Sequence, residues 1–435
     1  MPYKFVLLYV SGLEYPVSAS EHVLPLLRNL ESLKIRDDDK DLIVLRDPTG
    51  ISDQVLGFTP DVIPLLFYFD GERTIGDVIT EIENETGVKI QPEDLENLVQ
   101  ILDDSLFLHN DRFNENRLRM EEEFRRTPIR PAILSGSGYP EDPAELTELL
   151  NHFLESPEPD DFEPEPLEDA TIQGLIVPHI DFYRGGPSFG RAYRVLKDRL
   201  ESTGTGPILA IVLGVGHQGG FSPIVIAEKD FETPLGILKY NREAVSLLRQ
   251  ELGDEPFREL WIHKNEHSVE LQVIWLQHLF RDREITFVPV LVNAFEAIES
   301  DASGIRKTVQ PILDAFSRLK KLHPERILWI GSVDLSHIGP HFGDEQIVTE
   351  DIAVEVARTD MIALDACRAV DAKGWWNSIA ETANHTRICG LYSLYLLLEI
   401  LRGSKGVILD YQQAISGHGE QMVTFTSAAI TTKTK

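Results

Sequence analysis

Five short polar motifs carry side chains that bind transition metals and move protons at neutral pH. Each motif lies directly after or beside an apolar run. Several of these runs read as buried strands, and an open parallel α/β sheet places its ligand site beyond such strands. The set therefore indicates a metal or acid–base site at one edge of a sheet. The motifs are Pro178-His179-Ile180-Asp181, Gly214-Val215-Gly216-His217, Glu266-His267-Ser268-Val269-Glu270, Ser332-Val333-Asp334-Leu335-Ser336-His337 and Arg387-Ile388-Cys389-Gly390.

Two histidines stand behind successive predicted strands. His179 follows the strand that ends at Val177, and His217 follows the next one after Gly214 and Gly216, which permit a tight turn. Either histidine alone would be an ordinary loop residue. At neighbouring strand ends, however, two imidazoles can share one ion, so we predict that both bind metal.

Cys389 lies where an apolar helix over 391–400 is predicted to begin. A helix N-terminus lowers the pKa of a thiol and favours thiolate, either for metal ligation or for nucleophilic attack. A cysteine that only fills core volume is the alternative, but the polar run 384–387 favours a turn that faces a site. The other cysteine, Cys367, has no such neighbours and is predicted to be structural. With two cysteines, neither a disulfide framework nor a cysteine-rich zinc site can form.

Three further residues are candidates for acid–base work. Asp334 and His337 are three apart, so both would face one cavity if a helical turn began there. His267, at the start of a predicted helix, could serve as acid or base or orient a substrate. Glu270 could fix its tautomer, or could simply complement the helix N-terminus. We predict that His278 and His323 are solvated.

Composition excludes several classes of protein. The 435 residues are 42% hydrophobic and 26% charged, as in soluble globular chains of two or more domains. A net charge of −30 argues against a nucleic-acid surface, which needs clustered Lys and Arg. The apolar stretch 5–10 is too short for a signal peptide, and no later run reaches membrane-spanning length. A cytoplasmic protein is therefore expected.

The chain is predicted to contain four segments. Residues 1–51 form a lead-in of unclear fold, and residues 52–112 form a small helical domain that ends in a short strand, on the plan of a winged helix. Residues 113–127 form a charged linker helix, and residues 128–432 form one large α/β domain. Within the latter, residues 155–169 contain eight acidic residues and four prolines and are predicted to be a flexible loop.

The large domain alternates apolar, β-branched runs with helical patterns, which is typical of a three-layer α/β architecture with a mainly parallel sheet. The C-terminal runs favour an antiparallel edge. Predicted strands are 172–177, 208–215, 224–227, 285–292, 327–333, 407–412 and 422–430. Predicted helices are 143–154, 241–252, 268–280, 305–319, 344–363 and 388–402.

The small domain resembles the peptide-chaperone domain of pyrroloquinoline-quinone biosynthesis. The resemblance rests on a leucine-rich run, Asp70-Gly71-Glu72-Arg73-Thr74, two helices and Leu106-Phe107-Leu108. It implies capture of a peptide, often by strand addition at a sheet edge. A structural or dimerising appendage is the alternative interpretation.

Seven ordered motifs over about 128–432 resemble the Memo family, including bacterial and archaeal members known as AmmeMemoRadiSam system protein B. The motifs are Val177-Pro178-His179, Gly214-Val215-Gly216-His217, Glu232-Thr233-Pro234-Leu235-Gly236, Glu266-His267-Ser268-Val269-Glu270, Val288-Pro289-Val290-Leu291-Val292, Asp334-Leu335-Ser336-His337 and Ile388-Cys389-Gly390.

The resemblance implies a fold similar to class III extradiol dioxygenases, with metal ligands at His179, His217 and Cys389. It places Asp334, His337 and His267 in the same pocket. Two departures from the family pattern are Asp181, an added carboxylate that could bind the metal or repel an anionic substrate, and Gln218, where a second histidine commonly stands. Both are predicted to lie around the metal site, near the substrate. The resemblance also implies a radical S-adenosylmethionine partner protein. The chain has no Cys-x3-Cys-x2-Cys motif of its own.

Two classes of function follow. One is a non-haem metalloenzyme that uses iron, with copper or zinc as alternatives, on a small molecule or a modified peptide. Iron or copper would make it a dioxygenase-like oxidoreductase, and zinc would shift the chemistry to hydrolysis. The other class is an adaptor that keeps the scaffold and pocket to bind a peptide or partner without catalysis.

Overall fold

The computed structural model describes residues 23–37, 40–157, 167, 170–200, 206–298, 300, 302–323 and 327–433. The chain divides between Arg126 and Thr127 into two compact units. The apolar stretch 5–10 and most of the acidic loop predicted over 155–169 lie outside the described residues. Among the residues described, no helix combines the length and apolar character needed to cross a membrane.

In its described residues, the first unit combines short strands with four helices. Strands β2 (Glu31–Asp37), β3 (Lys40–Arg46) and β4 (Val55–Phe58) form an antiparallel sheet. Strand β1 (Leu26–Leu27) pairs with β5 (Leu108–His109). Two of the sheet's strands lie within the segment 1–51, where the sequence indicated no fold. The elements are β1 (Leu26–Leu27), β2 (Glu31–Asp37), β3 (Lys40–Arg46), β4 (Val55–Phe58), α1 (Ile63–Leu66), α2 (Ile75–Thr86), α3 (Pro92–Asp104), β5 (Leu108–His109) and α4 (Asp111–Arg126).

Local signals in the sequence account for the central helices of this unit. The Thr74 hydroxyl accepts a hydrogen bond from the Asp77 N–H, and the Asp77 carboxylate accepts one from the Thr74 backbone N–H, which makes a capping box. Gly87 ends α2 with φ of 73°, a conformation that costs glycine little. Pro92 occupies the first turn of α3, where its missing N–H is not needed.

In its described residues, the second unit contains one large sheet, a small three-stranded sheet and eight α-helices. Its strands are β6 (Ile129–Arg130), β7 (Ala170–Val177), β8 (Ile208–Val215), β9 (Ile224–Ile226), β10 (Asp230–Thr233), β11 (Gly236–Leu238), β12 (Ile285–Val292), β13 (Ile327–Ser332), β14 (His337–Ile338), β15 (Lys405–Ser416) and β16 (Gln421–Lys433). Its helices are α5 (Pro143–Leu154), α6 (Phe182–Leu200), α7 (Arg242–Leu252), α8 (Ser268–Leu279), α9 (Ala302–Leu322), α10 (Glu350–Ala369), α11 (Ala372–Ala380) and α12 (Leu391–Ile400).

Four parallel strands form the centre of the large sheet, in the order β7-β13-β8-β12. Antiparallel strands flank them, with β9 beside β12 and β16 beside β7. The predicted antiparallel edge is therefore confirmed. The prediction that the strands before His179 and His217 are neighbours is wrong, because β13 lies between them. The carboxyl ends of β7, β13 and β8 consequently form one continuous edge.

Helices cover both faces of this sheet. Along β8, Ile211 and Leu213 belong to the core cluster that includes residues of α9 and α12. Gly214 faces the other way, where a Cβ atom would lie 2.5 Å from Ser268 Oγ of α8. Successive strand residues point to opposite faces, so the sheet lies between two helical layers.

Helix α6 was not predicted, because Gly185, Gly186 and Pro187 interrupt the helical pattern near its start. The structure explains both glycines. A Cβ atom at Gly185 would lie 2.3 Å from the Ile180 side chain, and one at Gly186 would lie 2.2 Å from the Phe153 ring. Close packing at this helix therefore overrides helix propensity.

Candidate metal centre

His179 is held rigidly at the end of β7. Its side chain is only 2% exposed, and its Nδ1 lies 2.9 Å from the Ser332 carbonyl oxygen. Since a carbonyl only accepts, Nδ1 carries a proton, and Nε2 is the nitrogen whose lone pair an ion can take in place of a proton. The backbone N–H of His179 donates to Asp334 Oδ1 at 2.9 Å. The imidazole therefore presents Nε2 to the space beyond the strand.

His217 is carried by a tightly packed loop after β8. A Cβ atom at Gly216 would lie 1.9 Å from Asn293 Oδ1, so only glycine fits there. The His217 Nδ1 lies 2.9 Å from Glu266 Oε2, and the Glu266 carboxylate also accepts the His217 backbone N–H at 3.2 Å. A carboxylate on one ring nitrogen fixes the tautomer and leaves the other nitrogen for a metal.

Cys389 precedes α12 at the end of an unusual turn. Ala383, Asn384 and Arg387 all have φ between 50° and 55°, a conformation costly for residues other than glycine. Asn384 Oδ1 accepts the Ile388 N–H at 2.8 Å, which stabilises this turn. Backbone strain of this kind is concentrated at functional sites.

The donor atoms of His179, His217 and Cys389 all lie within 4.8 Å of one another. Cys389 Sγ is 3.4 Å from His179 Nε2. Zinc-like ions bind sulfur at about 2.3 Å and imidazole nitrogen at about 2.0–2.1 Å, so tetrahedral ligands of these types stand roughly 3.6 Å apart. The donor set therefore fits a single transition-metal ion in type and in spacing.

Opposite charges meet at these three residues. Desolvation raises the pKa of Cys389, but the charge and hydrogen bond of His179 outweigh it and lower this pKa to about 5. Desolvation lowers the pKa of His179, yet Asp334 and then Cys389 raise it to about 9. Without a metal the pair is therefore thiolate and imidazolium, and an ion would take the place of the proton.

Glu266 is the site residue that sequence reasoning missed. Its side chain is 2% exposed, and although desolvation opposes ionisation, His217 holds its pKa well below the usual range. Desolvation in turn lowers the pKa of His217, but Glu266 raises it well above the ordinary value. The sequence feature that could have identified Glu266 is its position directly before His267. Glu270 in the same motif was instead chosen as the carboxylate partner of the histidine.

The structure brings His267 and Asp334 to this cluster. The His267 ring centroid lies 5.1 Å from that of His217 and 5.3 Å from that of His179. Desolvation lowers the pKa of His267 to about 4, so its imidazole is neutral at pH 7. Asp334 Oδ2 lies 3.6 Å from His179 Nε2.

His337 occupies a different setting from the predicted helical turn. It begins β14, an antiparallel partner of β16, and its Nδ1 lies 3.0 Å from the Leu335 carbonyl oxygen. The charge of His337 is a minor contributor to the lowered pKa of Cys389, after desolvation and the two histidine ligands. The residue therefore lies within electrostatic reach of the thiol, although the expected turn is wrong.

Glu270 does not contact His267, so the predicted fixing of its tautomer is wrong. Its buried carboxylate pairs with Arg130, accepts the Tyr139 hydroxyl and accepts the Leu134 N–H at 3.0 Å. Helix α8 turns this side chain away from the histidines, toward the segment that follows β6.

Three other predictions about polar residues are corrected or left open. Asp181 caps α6, accepting from the Arg184 N–H at 3.1 Å and the Arg184 Nε at 2.6 Å, and is not among the converging donors. Gln218 is partly exposed in the turn that contains His217, and its side chain makes no hydrogen bond to another described residue. His278 is buried rather than solvated and contacts Asn151 Oδ1 at 3.1 Å.

The second unit is thus an α/β protein with a histidine–cysteine cluster at the carboxyl edge of its parallel strands. Sequence comparison specifies its relatives. The chain belongs to the Memo-like protein family, whose profile matches residues 130–429.

Similar curated proteins come from bacteria and archaea. A MEMO1 family protein of Aquifex aeolicus is 28% identical over 374 residues, covering 85% of this chain and 91% of that protein. One from Thermus thermophilus is 29% identical, covering 78% and 94%, and one from Methanopyrus kandleri is 26% identical, covering 67% and 95%. The match to the Aquifex protein is longer than the Memo-like region alone.

Among solved structures, an uncharacterized protein of Escherichia coli K12 aligns with a TM-score of 0.34 and 12% identity. The alignment covers 60% of this chain and all of that one.

Proposed function

We propose that this chain is a metalloenzyme in which His179, His217 and Cys389 hold one divalent transition metal. Iron(II) is the first choice, and copper and zinc are the other ions that suit two imidazoles and a thiolate. The convergence of the three donor atoms within 4.8 Å carries the proposal. Magnesium and calcium prefer oxygen ligands, which this set does not supply.

Three protein ligands leave coordination positions open, as in catalytic rather than structural sites. The His217 side chain is 36% exposed, which gives this side of the cluster access to solvent. The bound ion would supply Lewis acidity and, for iron or copper, a redox centre for dioxygenase-like oxidation of a chelating small molecule or modified peptide.

The surrounding residues have separate roles in this proposal. Neutral His267, with a pKa lowered by desolvation to about 4, accepts a proton from the substrate. Asp334 positions His179 by accepting its backbone N–H and that of Ile180. His337, which lies within electrostatic reach of Cys389, serves as a second acid–base group. Strong perturbation of several pKa values in one cluster favours an enzyme over an adaptor.

Anaerobic purification followed by elemental analysis tests the metal centre. We expect about one tightly bound ion per chain in the unaltered protein, and loss of this ion during purification of Cys389→Ser and His217→Ala, because removing one of three ligands leaves a poor site. Cys367→Ser is the matched control, since this cysteine is buried in the core cluster without metal-ligating neighbours. Full metal retention in both ligand variants would overturn the assignment.

The identity of the retained ion separates the chemical alternatives. Iron or copper supports the oxidoreductase, whereas stoichiometric zinc points to water activation and hydrolysis. A folded chain that binds none of these ions would overturn the metalloenzyme and favour a peptide-binding adaptor.

A further inference from the structure

The donors around His217 are more numerous than one open metal site needs. Besides the three proposed ligands, Glu266 and His267 form a second group with His217, and these donor atoms also lie within 4.8 Å of one another. We propose that His217, Glu266 and His267 form a second, outer position for a divalent first-row metal. Ions would occupy it before reaching His179 and Cys389. This inference rests on the proposed function, whose metal centre is called the inner position.

The spacing of the outer donors suits one ion. His217 Nδ1 lies 2.9 and 3.1 Å from the two Glu266 oxygens, and His267 Nδ1 lies 3.5 Å from Glu266 Oε1. Imidazole nitrogen and carboxylate oxygen bind such ions at about 2.0–2.2 Å, which places adjacent ligands roughly 3.0–3.5 Å apart. Two imidazoles and a carboxylate also suit zinc, iron and related ions.

His267 has a donor atom to spare. Within the described part of the chain, neither of its ring nitrogens makes a hydrogen bond, and the distance of 3.5 Å from its Nδ1 to Glu266 Oε1 is longer than a good hydrogen bond. A neutral imidazole whose lone pair has no other partner is a ready metal ligand.

The ring of His217 links the two positions. Its Nδ1 faces Glu266, so its Nε2 is the nitrogen left to face the inner position. An ion at the outer position would take Nδ1, with the ring proton on Nε2. An ion at the inner position would take Nε2, with the proton on Nδ1 and donated to Glu266. Transfer therefore moves one proton across the ring, and a single neutral imidazole serves one position at a time.

Exposure sets the order in which an ion meets these donors. The His217 and His267 side chains are each 36% exposed, whereas that of His179 is 2% exposed. An ion arriving from solvent consequently meets the outer donors first. The partly buried thiolate of Cys389 and the buried His179 complete the tighter inner site afterwards.

Cobalt(II) titration of a chain without inner ligands tests the outer position. The double variant His179→Ala with Cys389→Ser, carrying no affinity tag, is expected to bind one cobalt ion more weakly than the unaltered protein. Adding His267→Ala or Glu266→Gln should weaken this residual binding by about tenfold or more. Glu259→Gln is the matched control, because Glu259 accepts the N–H groups of Phe221 and Ser222 in the same loop but does not belong to the outer donor set.

Uptake kinetics give an independent readout. In the chain with an intact inner position, His267→Ala should slow cobalt uptake about tenfold in stopped-flow absorbance, while the thiolate-to-cobalt band reaches its normal final intensity. A double variant that binds no cobalt, or residual binding insensitive to His267 and Glu266, would overturn the outer position and leave the inner one intact. Absence of metal binding by the unaltered protein would overturn the proposed function itself.

Discussion

In the metal-free protein, Cys389 is expected to react with iodoacetamide as a thiolate across the physiological pH range. Its pKa reflects desolvation, which raises it, and His179 at 3.4 Å from Sγ, which more than compensates and brings it to about 5. Such a thiol is roughly 99% ionised at pH 7, whereas an ordinary cysteine with a pKa of about 8.5 is ionised only to a few per cent.

Alkylation rates measured by mass spectrometry from pH 4 to pH 9 test this value. The rate at Cys389 should rise through a midpoint near 5 and then stay level, although a thiolate of low pKa is intrinsically a weaker nucleophile. Cys367 provides an internal reference, because burial raises its pKa to about 12 and it should remain unmodified in the folded chain. A His179→Ala variant should move the midpoint upward by more than about one pH unit.

The same charges make a prediction for stability. The pKa of Cys389 is lowered, so its contribution is present at high pH and lost as pH falls through about 5. The pKa of His179 is raised, so its contribution is present at low pH and lost as pH rises through about 9. Without metal, the unaltered protein should therefore have a higher melting temperature than the Cys389→Ser variant, mainly between about pH 5 and about pH 9. An alkylation midpoint above pH 7.5, together with no such window, would refute the proposed thiolate–imidazolium pair.

Two further predictions concern packing and domain structure. Gly216→Ala should weaken metal affinity and cost about 1–3 kcal/mol of stability, because its Cβ would lie 1.9 Å from Asn293 Oδ1. Chelator competition measures the affinity and thermal melting measures the stability. Gly206→Ala is the control, because nothing lies within 4 Å of a Cβ atom at that position. A chain that begins at Thr127 should stay folded and keep its metal, because the compact units separate there; an insoluble or unfolded product by circular dichroism would show that the two parts depend on each other.

The spacing of apolar residues and the positions of Gly and Pro predicted most elements of the α/β unit, because buried parallel strands are continuous apolar runs. Residues 208–215 and 285–292 coincide with β8 and β12. The order of strands could not be read in this way, since pairing is a long-range property that local pattern does not encode. Helix α6 was not predicted, because its glycines interrupt the local helical pattern. These glycines are needed for close packing against Ile180 and Phe153.

Part of the candidate site could likewise be predicted from local sequence, and part could not. Residues at strand ends, such as His179 and His217, could be found because the edge of a parallel sheet gathers whatever follows its strands. The partners of their second ring nitrogens could not, because each depends on tertiary placement: a backbone carbonyl of Ser332 for one and the Glu266 carboxylate for the other. Insertion of β13 between the two strands also explains why Asp334 holds the backbone of His179.

The two carboxylates of the Glu266–Glu270 motif have different structural roles. Glu266 precedes α8 and contacts the histidines directly, whereas Glu270, one turn later, pairs with Arg130. The Arg130 guanidinium donates in turn to the carbonyl oxygens of His263 at 3.0 Å and Glu266 at 2.6 Å. Glu270 therefore acts on the cluster through the backbone, because it fixes the arginine that holds the segment leading into the helix. A residue four positions away in sequence thus supports the site without facing it.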